Sequence, residues 1–269
     1  MQQKSRTSNQ REEEILREIR LAGGSCRVSY LADRLSVANE TIRRNIRSLE
    51  ENNVVRKVHG GVHLIDELHE PPFQNRMDIH AATKQRLAAA VADTIGHGDS
   101  VFLDIGSTTA YVALALRRHR GLHIVTNSVF VAQTLATRNS NQVFLAGGEL
   151  RPHDGGAFGA EALDLIGRLN VQFAVFSVGA VNADLGFMLH DLEEANVARV
   201  AAANAQVRIV VADSEKFGKR APVSLDQAAQ IDMLFTDKSP PQDIARMLDR
   251  HDIDLIVSDG PRPTDAPSR

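Results

Sequence analysis

The stretch VFLDIGSTTAYVALAL, residues 101–116, decides the fold of most of this chain. An apolar run ends in Asp104, turns through Gly106-Ser107-Thr108-Thr109, and resumes with apolar residues in a helical pattern. A strand that turns straight into a helix leaves free backbone N–H groups at the turn, where the helix dipole also favours negative charge. Gly106 lets the backbone approach an anion closely, and three hydroxyls stand beside it. Asp104, at the carboxyl end of the strand, is placed to accept hydrogen bonds from a sugar or polyol hydroxyl. The stretch predicts a phosphate pocket. It leaves open whether the phosphate belongs to a substrate or to a signal.

Beyond this stretch, apolar segments at 122–127 (LHIVTN), 142–148 (QVFLAGG), 173–180 (FAVFSVGA), 207–213 (VRIVVAD) and 233–237 (MLFTD) alternate with helix-like sequence. Strands of this kind belong to a largely parallel sheet covered on both faces by helices. We expect an α/β domain over residues 83–260, opening with a helix at KQRLAAAVADTI. Ligands of such sheets collect beyond the carboxyl ends of the strands. Three further polar motifs fall there: Thr126-Asn127-Ser128, Gly147-Gly148-Glu149-Leu150-Arg151 and Asp213-Ser214-Glu215-Lys216. Asn127, Gly148, Arg151 and Lys216 therefore join Asp104, Gly106, Ser107, Thr108 and Thr109 as candidate effector-binding residues. Arg151 or Lys216 is the expected counter-charge for phosphate.

The N-terminal residues 1–63 read differently. Ile15, Leu16, Ile19 and Ala22 share one face of a first helix that Gly23-Gly24 ends. Ser29 is the expected cap of a short second helix through Leu35, and Ser36-Val37 makes a tight turn. A third helix runs from about Asn39 to Glu51, with Ile42, Ile46 and Leu49 facing inward. Val54–Val58 and the turn at His59-Gly60-Gly61 make a β wing. Three helices and a wing form a winged helix-turn-helix. Asn39, Thr41, Arg43, Arg44 and Arg47 are then candidates to meet DNA in the major groove, since the guanidinium fork suits both guanine edges and phosphate. Arg56, Lys57 and His59 in the wing are candidates for the flanking backbone. Residues 64–82, with Pro71-Pro72 and no clear period, read as a linker, and 261–269 as a disordered tail.

Composition agrees with a two-part chain. Residues 1–62 carry 12 Lys and Arg against 8 Asp and Glu, while the remainder carries 19 against 26. A basic head on an acidic body suits a nucleic-acid reader with a separate second function. A single cysteine, Cys26, forms no internal disulfide, and no Cys/His spacing suits a metal; His59 and His63 do not lie on a helix. No run of 18 apolar residues occurs and the first twenty residues are polar, which argues against a membrane span or a secretory signal. A cytoplasmic protein is expected.

The segments ILREI, VSYLADRL, TIRRNI and LEENNVVRKVHGGV resemble the DNA-binding domain of DeoR-type bacterial transcriptional repressors. The resemblance continues through FQNR, Lys84, DIGSTT, VTNS, AGGELR, ADSEKFG and FTD, all in order. Two positions depart from the family pattern. Ala38 stands where a serine usually starts the recognition helix, so Asn39 is expected to cap it instead. Asn45 stands for the usual aspartate, which removes a charge from the helix and bears on operator choice.

The resemblance implies a sensor domain similar in fold to ribose-5-phosphate isomerase, a regulator and no cofactor. In that isomerase a DGADE segment carries catalytic carboxylates; Val178-Gly179-Ala180-Val181-Asn182 is the matching stretch here, which leaves Glu194 as a lone carboxylate. AGGELRPHDGG, GFMLHDLEEANVAR and FTDKSPP resemble the glycerol 3-phosphate branch of the family. A repressor of another sugar- or polyol-phosphate pathway is the alternative, and an active isomerase fused to a DNA-binding head a more distant one. Double-stranded operator DNA, a small phosphorylated effector and a second copy of the chain, as dimer or tetramer, are the expected partners. One winged helix contacts only a short half-site.

Overall fold

The computed structural model describes residues 10–52, 54–64, 72–225 and 231–258. The chain divides into two compact units, Met1–Glu70 with Gly218–Ala221, and Pro71–Phe217 with Pro222–Arg269.

The first unit contains α1 (Gln10–Leu21), β1 (Ser25–Arg27), α2 (Val28–Leu35), α3 (Asn39–Glu51), β2 (Val55–Val58) and β3 (Gly61–Leu64). Ile15, Ile19, Leu31, Ile42, Ile46 and Leu49 from the three helices pack with Val55, Val62 and Leu64 from the wing into one core. The turn between α2 and α3 is tight because Ser36 takes a left-handed conformation (φ 51°) and the Val37 N–H bonds the Ala32 carbonyl at 3.0 Å. Strand β1 pairs antiparallel with β3 and completes a three-stranded sheet in the order β1-β3-β2. Three residues, SCR, are too few to show an alternating pattern, so sequence does not announce this strand. Burial, and then the charge of Glu18, raise the Cys26 thiol to about 11, so it stays protonated and inert.

Two caps differ from expectation. Ser29 lies inside α2, and Arg27 takes the cap position with no side-chain hydrogen bond. Asn39 is likewise the first helical residue of α3; Ala38 has the extended backbone a cap requires (φ −66°, ψ 143°) but no side chain to cap with.

The second unit opens with α4 (Phe73–Asp78) and α5 (Ala81–Thr94). There follow β4 (Ser100–Leu103), α6 (Ser107–Leu116), β5 (His123–Thr126), α7 (Val129–Leu135), β6 (Gln142–Leu145), α8 (Ala160–Gly167) and β7 (Val171–Ser177). The remainder is β8 (Ala180–Asn182), β9 (Gly186–Leu189), α9 (Leu192–Ala203), β10 (Ala205–Val211), β11 (Val223–Ser224), β12 (Met233–Thr236), α10 (Gln242–Arg250) and β13 (Asp254–Val257). Seven strands form a parallel sheet in the order β13-β12-β10-β7-β4-β5-β6. Their unbroken apolar character has a direct cause. Val101 and Leu103 join the core on one face, Phe102 joins the core on the other, and Val175 and Phe176 divide in the same way.

β4 has β5 on one side and β7 on the other. The chain moves outward from β4 through β5 and β6 and then returns to β4's opposite edge. Such a reversal opens a crevice at the carboxyl ends of the two strands. Asp104 follows β4 there, and Ser177 ends β7.

Three features lie outside the sequence expectations. Edge strand β13 and the small antiparallel sheet β11-β9-β8 were not foreseen. Residues 73–78, read as linker, form α4, because Phe73 finds a buried position against the Phe130 ring, with centroids 5.5 Å apart. The rest of the expected linker falls partly on residues 65–71, and the expected tail wholly on 261–269; both lie outside the described residues.

Candidate functional site

The crevice between β4 and β7 is lined by polar groups that the fold has buried. In α6 the Ala110 N–H makes the first helical bond, to the Gly106 carbonyl at 2.9 Å. The N–H groups of Ser107, Thr108 and Thr109 lie ahead of it, and among the described residues no protein group accepts from them. Gly106 is extended (φ −174°), so backbone freedom does not explain the glycine. Space does. A Cβ there would stand 2.0 Å from Ser177 Oγ and 3.2 Å from Thr109 Oγ1. The Thr109 hydroxyl, expected to face the ligand, instead donates to the carbonyls of Asp104 and Gly106 at 3.2 and 3.0 Å. It locks the turn.

A buried lysine completes the loop. Lys84 of α5 is 5% exposed, and its Nζ donates to Ser107 Oγ at 2.9 Å. It carries the positive charge that an anion at this helix terminus requires. A signal for it was present in the sequence: Lys84 shares the face of Leu87, Ala88 and Val91, the apolar side of α5. A charge on that face must be buried with a partner.

Asp104 accepts from the Ser177 N–H at 2.8 Å. Burial raises its carboxyl from 3.8 to about 7; hydrogen bonds from Thr109 and Ser177 oppose the rise, and the nearby charge of Glu194 adds to it. Since Asp104 in the folded protein holds a proton that it loses on unfolding between about pH 4 and 7, its contribution to stability falls as pH rises through that window. The stability of the native sequence minus that of Asp104→Asn, from urea titrations, should fall from pH 4 to pH 7. A difference that is flat or rising would show that Asp104 is ionised throughout.

Asn127 is fully buried at the end of β5. Its Nδ2 donates to the Ala157 carbonyl at 3.3 Å, while Oδ1 has no hydrogen-bond partner among the described residues. An orphaned buried acceptor is costly unless a ligand or water donates to it. Gly148 begins the loop that covers Asn127. Its φ of +120° disfavours other residues, and a Cβ would lie 3.0 Å from the Phe158 carbonyl oxygen.

Arg151 does not stand free. Its Nε donates to Asp154 Oδ2 at 2.9 Å, its Nη2 to Asp154 and to Glu194, and its Nη1 pairs with Asp191 at 3.3 Å. The guanidinium carbon lies 4.2 Å from the centre of the Phe158 ring. Burial opposes its charge, but the carboxylates of Asp154 and Glu194 more than offset that and hold its pKa above the ordinary value. Lys216 ends a single 3-10 turn (Ser214–Lys216) after β10; its half-buried side chain makes no hydrogen bond or ion pair among the described residues.

In the first unit α3 exposes Asn39, Arg43, Arg44 and Arg47, with Thr41 half-buried. Arg43 meets Glu40 only at 3.5 Å on an open surface, and Arg44, Arg47 and the wing's Arg56 have no ion pair among the described residues. Lys57 is tied to Glu50, Nζ to Oε2 at 2.6 Å, beside an exposed His59. Asn45 does not face outward. It is 6% exposed and its Nδ2 donates to the Thr41 carbonyl at 2.8 Å, so the departure from aspartate bears on helix packing.

A DeoR-like helix-turn-helix domain matches residues 11–68, and a DeoR C terminal sensor domain matches residues 79–238. The chain belongs to the DeoR family. Among its relatives, the glycerol-3-phosphate regulon repressor of Escherichia coli K12 is 35% identical over 84% of this chain and 89% of its own. The HTH-type transcriptional repressor CsqR of the same strain is also 35% identical, over 93% of this chain and 96% of its own. Among solved structures, ribose 5 phosphate isomerase A from Neisseria gonorrhoeae is similar at 16% identity, with a TM-score of 0.37 over 51% of this chain and 53% of that one. The DeoR protein is thus a helix-turn-helix transcriptional repressor with an α/β sensor domain.

Asp104, Gly106, Ser107, Thr108 and Asn127 gather at the crevice of that sensor domain. Arg151, expected as a counter-charge for phosphate, is instead held by carboxylates, and Lys84 stands at the loop in its place. The charge of Glu194 reaches Asp104 and adds to the rise of its carboxyl. Asp154 and Phe158, which seat Arg151, were not anticipated. Among the described residues, no helix is long and apolar enough to cross a membrane, and no cluster of His, Cys, Asp and Glu suits a metal.

Proposed function

We propose that this DeoR protein is a cytoplasmic repressor whose grip on double-stranded operator DNA is controlled by a small phosphorylated polyol or sugar. The effector phosphate sits on the N–H groups of Ser107, Thr108 and Thr109, with Lys84 and the Ser107 hydroxyl beside it. The observation that carries this reading is the buried Lys84 Nζ, 2.9 Å from Ser107 Oγ, at a helix terminus whose first N–H groups have no protein acceptor among the described residues. Asn127 Oδ1 and Asp104 take the effector's hydroxyls, and Lys216 adds charge from the neighbouring strand end.

Glycerol 3-phosphate is the first candidate, on the similarity to a repressor named for it across 84% of the chain. A different phosphorylated metabolite is the second reading, favoured by an equal identity to CsqR. Calorimetry with glycerol 3-phosphate and a panel of sugar phosphates decides between them. Heat from glycerol 3-phosphate supports the first and heat from another phosphate alone supports the second. Silence across the whole panel defeats both.

The reading is of a regulator, not an enzyme. Val178 and Val181 are buried apolar residues, and Asn182 Oδ1 is occupied by the N–H groups of Asp184 and Leu185 at 3.0 and 3.2 Å. Glu194 is bound by Arg151, and Asp104 by Ser177. The stretch that matches the isomerase's acidic segment therefore offers no carboxylate pair for acid–base work.

Operator reading is assigned to α3 and the wing. Arg43→Ala or Arg44→Ala should weaken operator binding by about 1–3 kcal/mol if the side chain reads a base. Arg56→Ala should weaken specific and non-specific DNA about equally and flatten the dependence on salt. Titrations at fixed salt check both, and unchanged affinity in both α3 variants would reject α3 as the reading helix. The active species should be at least a dimer, assembled through the acidic sensor units because basic heads repel. Light scattering that finds a monomer both free and on operator DNA would exclude this.

A further inference from the structure

The lysine at the phosphate loop has a second partner on a different element. Lys84 Nζ donates to Ser107 Oγ at 2.9 Å and to the Arg76 carbonyl oxygen at 2.5 Å. Arg76 is in the last turn of α4, the first described element after the wing ends at Leu64. Six residues are too few to hold a helix by themselves. Among the described residues, three ties hold α4 to the rest of its unit. Phe73 is buried against Phe130, the Tyr111 hydroxyl donates to the Met77 carbonyl at 3.0 Å, and Lys84 donates to Arg76. One of these ties comes from the phosphate site itself, since Lys84 touches Ser107, and another from Tyr111 on α6, one turn beyond the loop.

Resting on the reading that Gly106–Thr109 takes a phosphate, we propose that Lys84 is the relay: effector phosphate draws its ammonium from the Arg76 carbonyl and so loosens α4, where the chain arrives from the DNA-binding unit. The exchange is favoured because a bond to an ionised acceptor is about twice as strong as one to a neutral carbonyl. Burial sharpens the difference, because a low dielectric strengthens the interaction between opposite charges. The effector then prefers the state with α4 released, and this unequal affinity is what lets a ligand shift the protein. By linkage, whatever holds α4 in place lowers effector affinity by the same factor.

Hydrogen exchange on the full chain, read by peptide, tests this with glycerol 3-phosphate and with inorganic phosphate as probes. The expected result is slower exchange at 107–110 and several-fold faster exchange at 73–80 when a probe is bound. In Lys84→Met, exchange at 73–80 should already be fast in the free protein and should not respond to probe. Tyr111→Phe removes a tie to α4 without removing any group from the phosphate site. It should speed exchange at 73–80, keep probe protection at 107–110, and bind probe at least as tightly as the native sequence. It also carries the test if Lys84→Met does not fold.

Protection at 107–110 with no change at 73–80 overturns the relay and leaves the phosphate site standing. So does Tyr111→Phe with weakened probe binding. No protection at 107–110 by either probe overturns the phosphate site, and the relay falls with it.

Discussion

Replacing Arg151 with alanine is expected to cost the sensor domain about 3–5 kcal/mol, the loss typical of removing one partner from a buried ion pair. The guanidinium is 15% exposed, the Asp154 carboxylate 1% and Glu194 17%. Without Arg151, the Asp154 and Glu194 carboxylates lose the cation that they share, and the loop that covers Asn127 loses its anchor to α9. Loss of the stacking contact with Phe158 adds to the cost. Urea titration followed by a signal from the sensor domain measures the effect. Salt should do little to the native network, because buried pairs are poorly screened. Glu194→Gln should cost less, since Arg151 keeps Asp154 and Asp191. A loss below about 1 kcal/mol in Arg151→Ala, the range of exposed pairs, would mean that water reaches the network.

How much of this was legible in the sequence follows from what each segment must bury. The parallel sheet was legible because its central strands are apolar on both faces; Val101, Phe102 and Leu103 have no solvent side to reveal with a polar residue. Strand β13 was not, because its short apolar run, Leu255-Ile256-Val257, opens on the exposed Asp254 and lies on the sheet edge with Leu255 also exposed. In the winged domain the third helix was legible from Ile42, Ile46 and Leu49, but its cap was not. Capping depends on which residue has extended backbone, and that residue is an alanine.

The site divides along the same line. Loop and strand-end motifs were legible, since Gly-Ser-Thr-Thr and Thr-Asn-Ser combine turn chemistry with hydroxyls. Their assigned partners were less so. Arg151 looks like a free cation in sequence, and only the fold brings Asp191 and Glu194 to join its near neighbour Asp154. Lys84 is the reverse case. It reads as an ordinary helix surface residue until its register with Leu87, Ala88 and Val91 is noticed. Distances across 23 residues of chain, as between Lys84 and Ser107, are set by packing of α5 on α6 rather than by any local pattern.

Thr108→Leu should give a repressor that binds its operator normally and can no longer be released. Thr108 is 8% exposed at the second position of α6, among the N–H groups assigned to the phosphate. A leucine there brings about 1–3 kcal/mol of overpacking whenever the pocket is filled. It also shields N–H groups whose bonds to a charged acceptor contribute about 1.5–3 kcal/mol each. Together these exceed roughly 2.7 kcal/mol, or about a hundredfold in Kd. Operator affinity without effector should stay at the native value, because α3 and the wing are untouched, and this also serves as the control for folding. A ligand that no longer binds cannot favour either state, so the operator complex should persist at effector levels that release the native protein. The measurement is an operator titration with and without glycerol 3-phosphate, or whichever phosphate calorimetry selects. Release of Thr108→Leu at the native effector concentration would place the phosphate somewhere other than the head of α6. Loss of operator binding in the absence of effector would instead mean that the loop supports the DNA-holding state itself, and the division of labour between the two units would have to be redrawn.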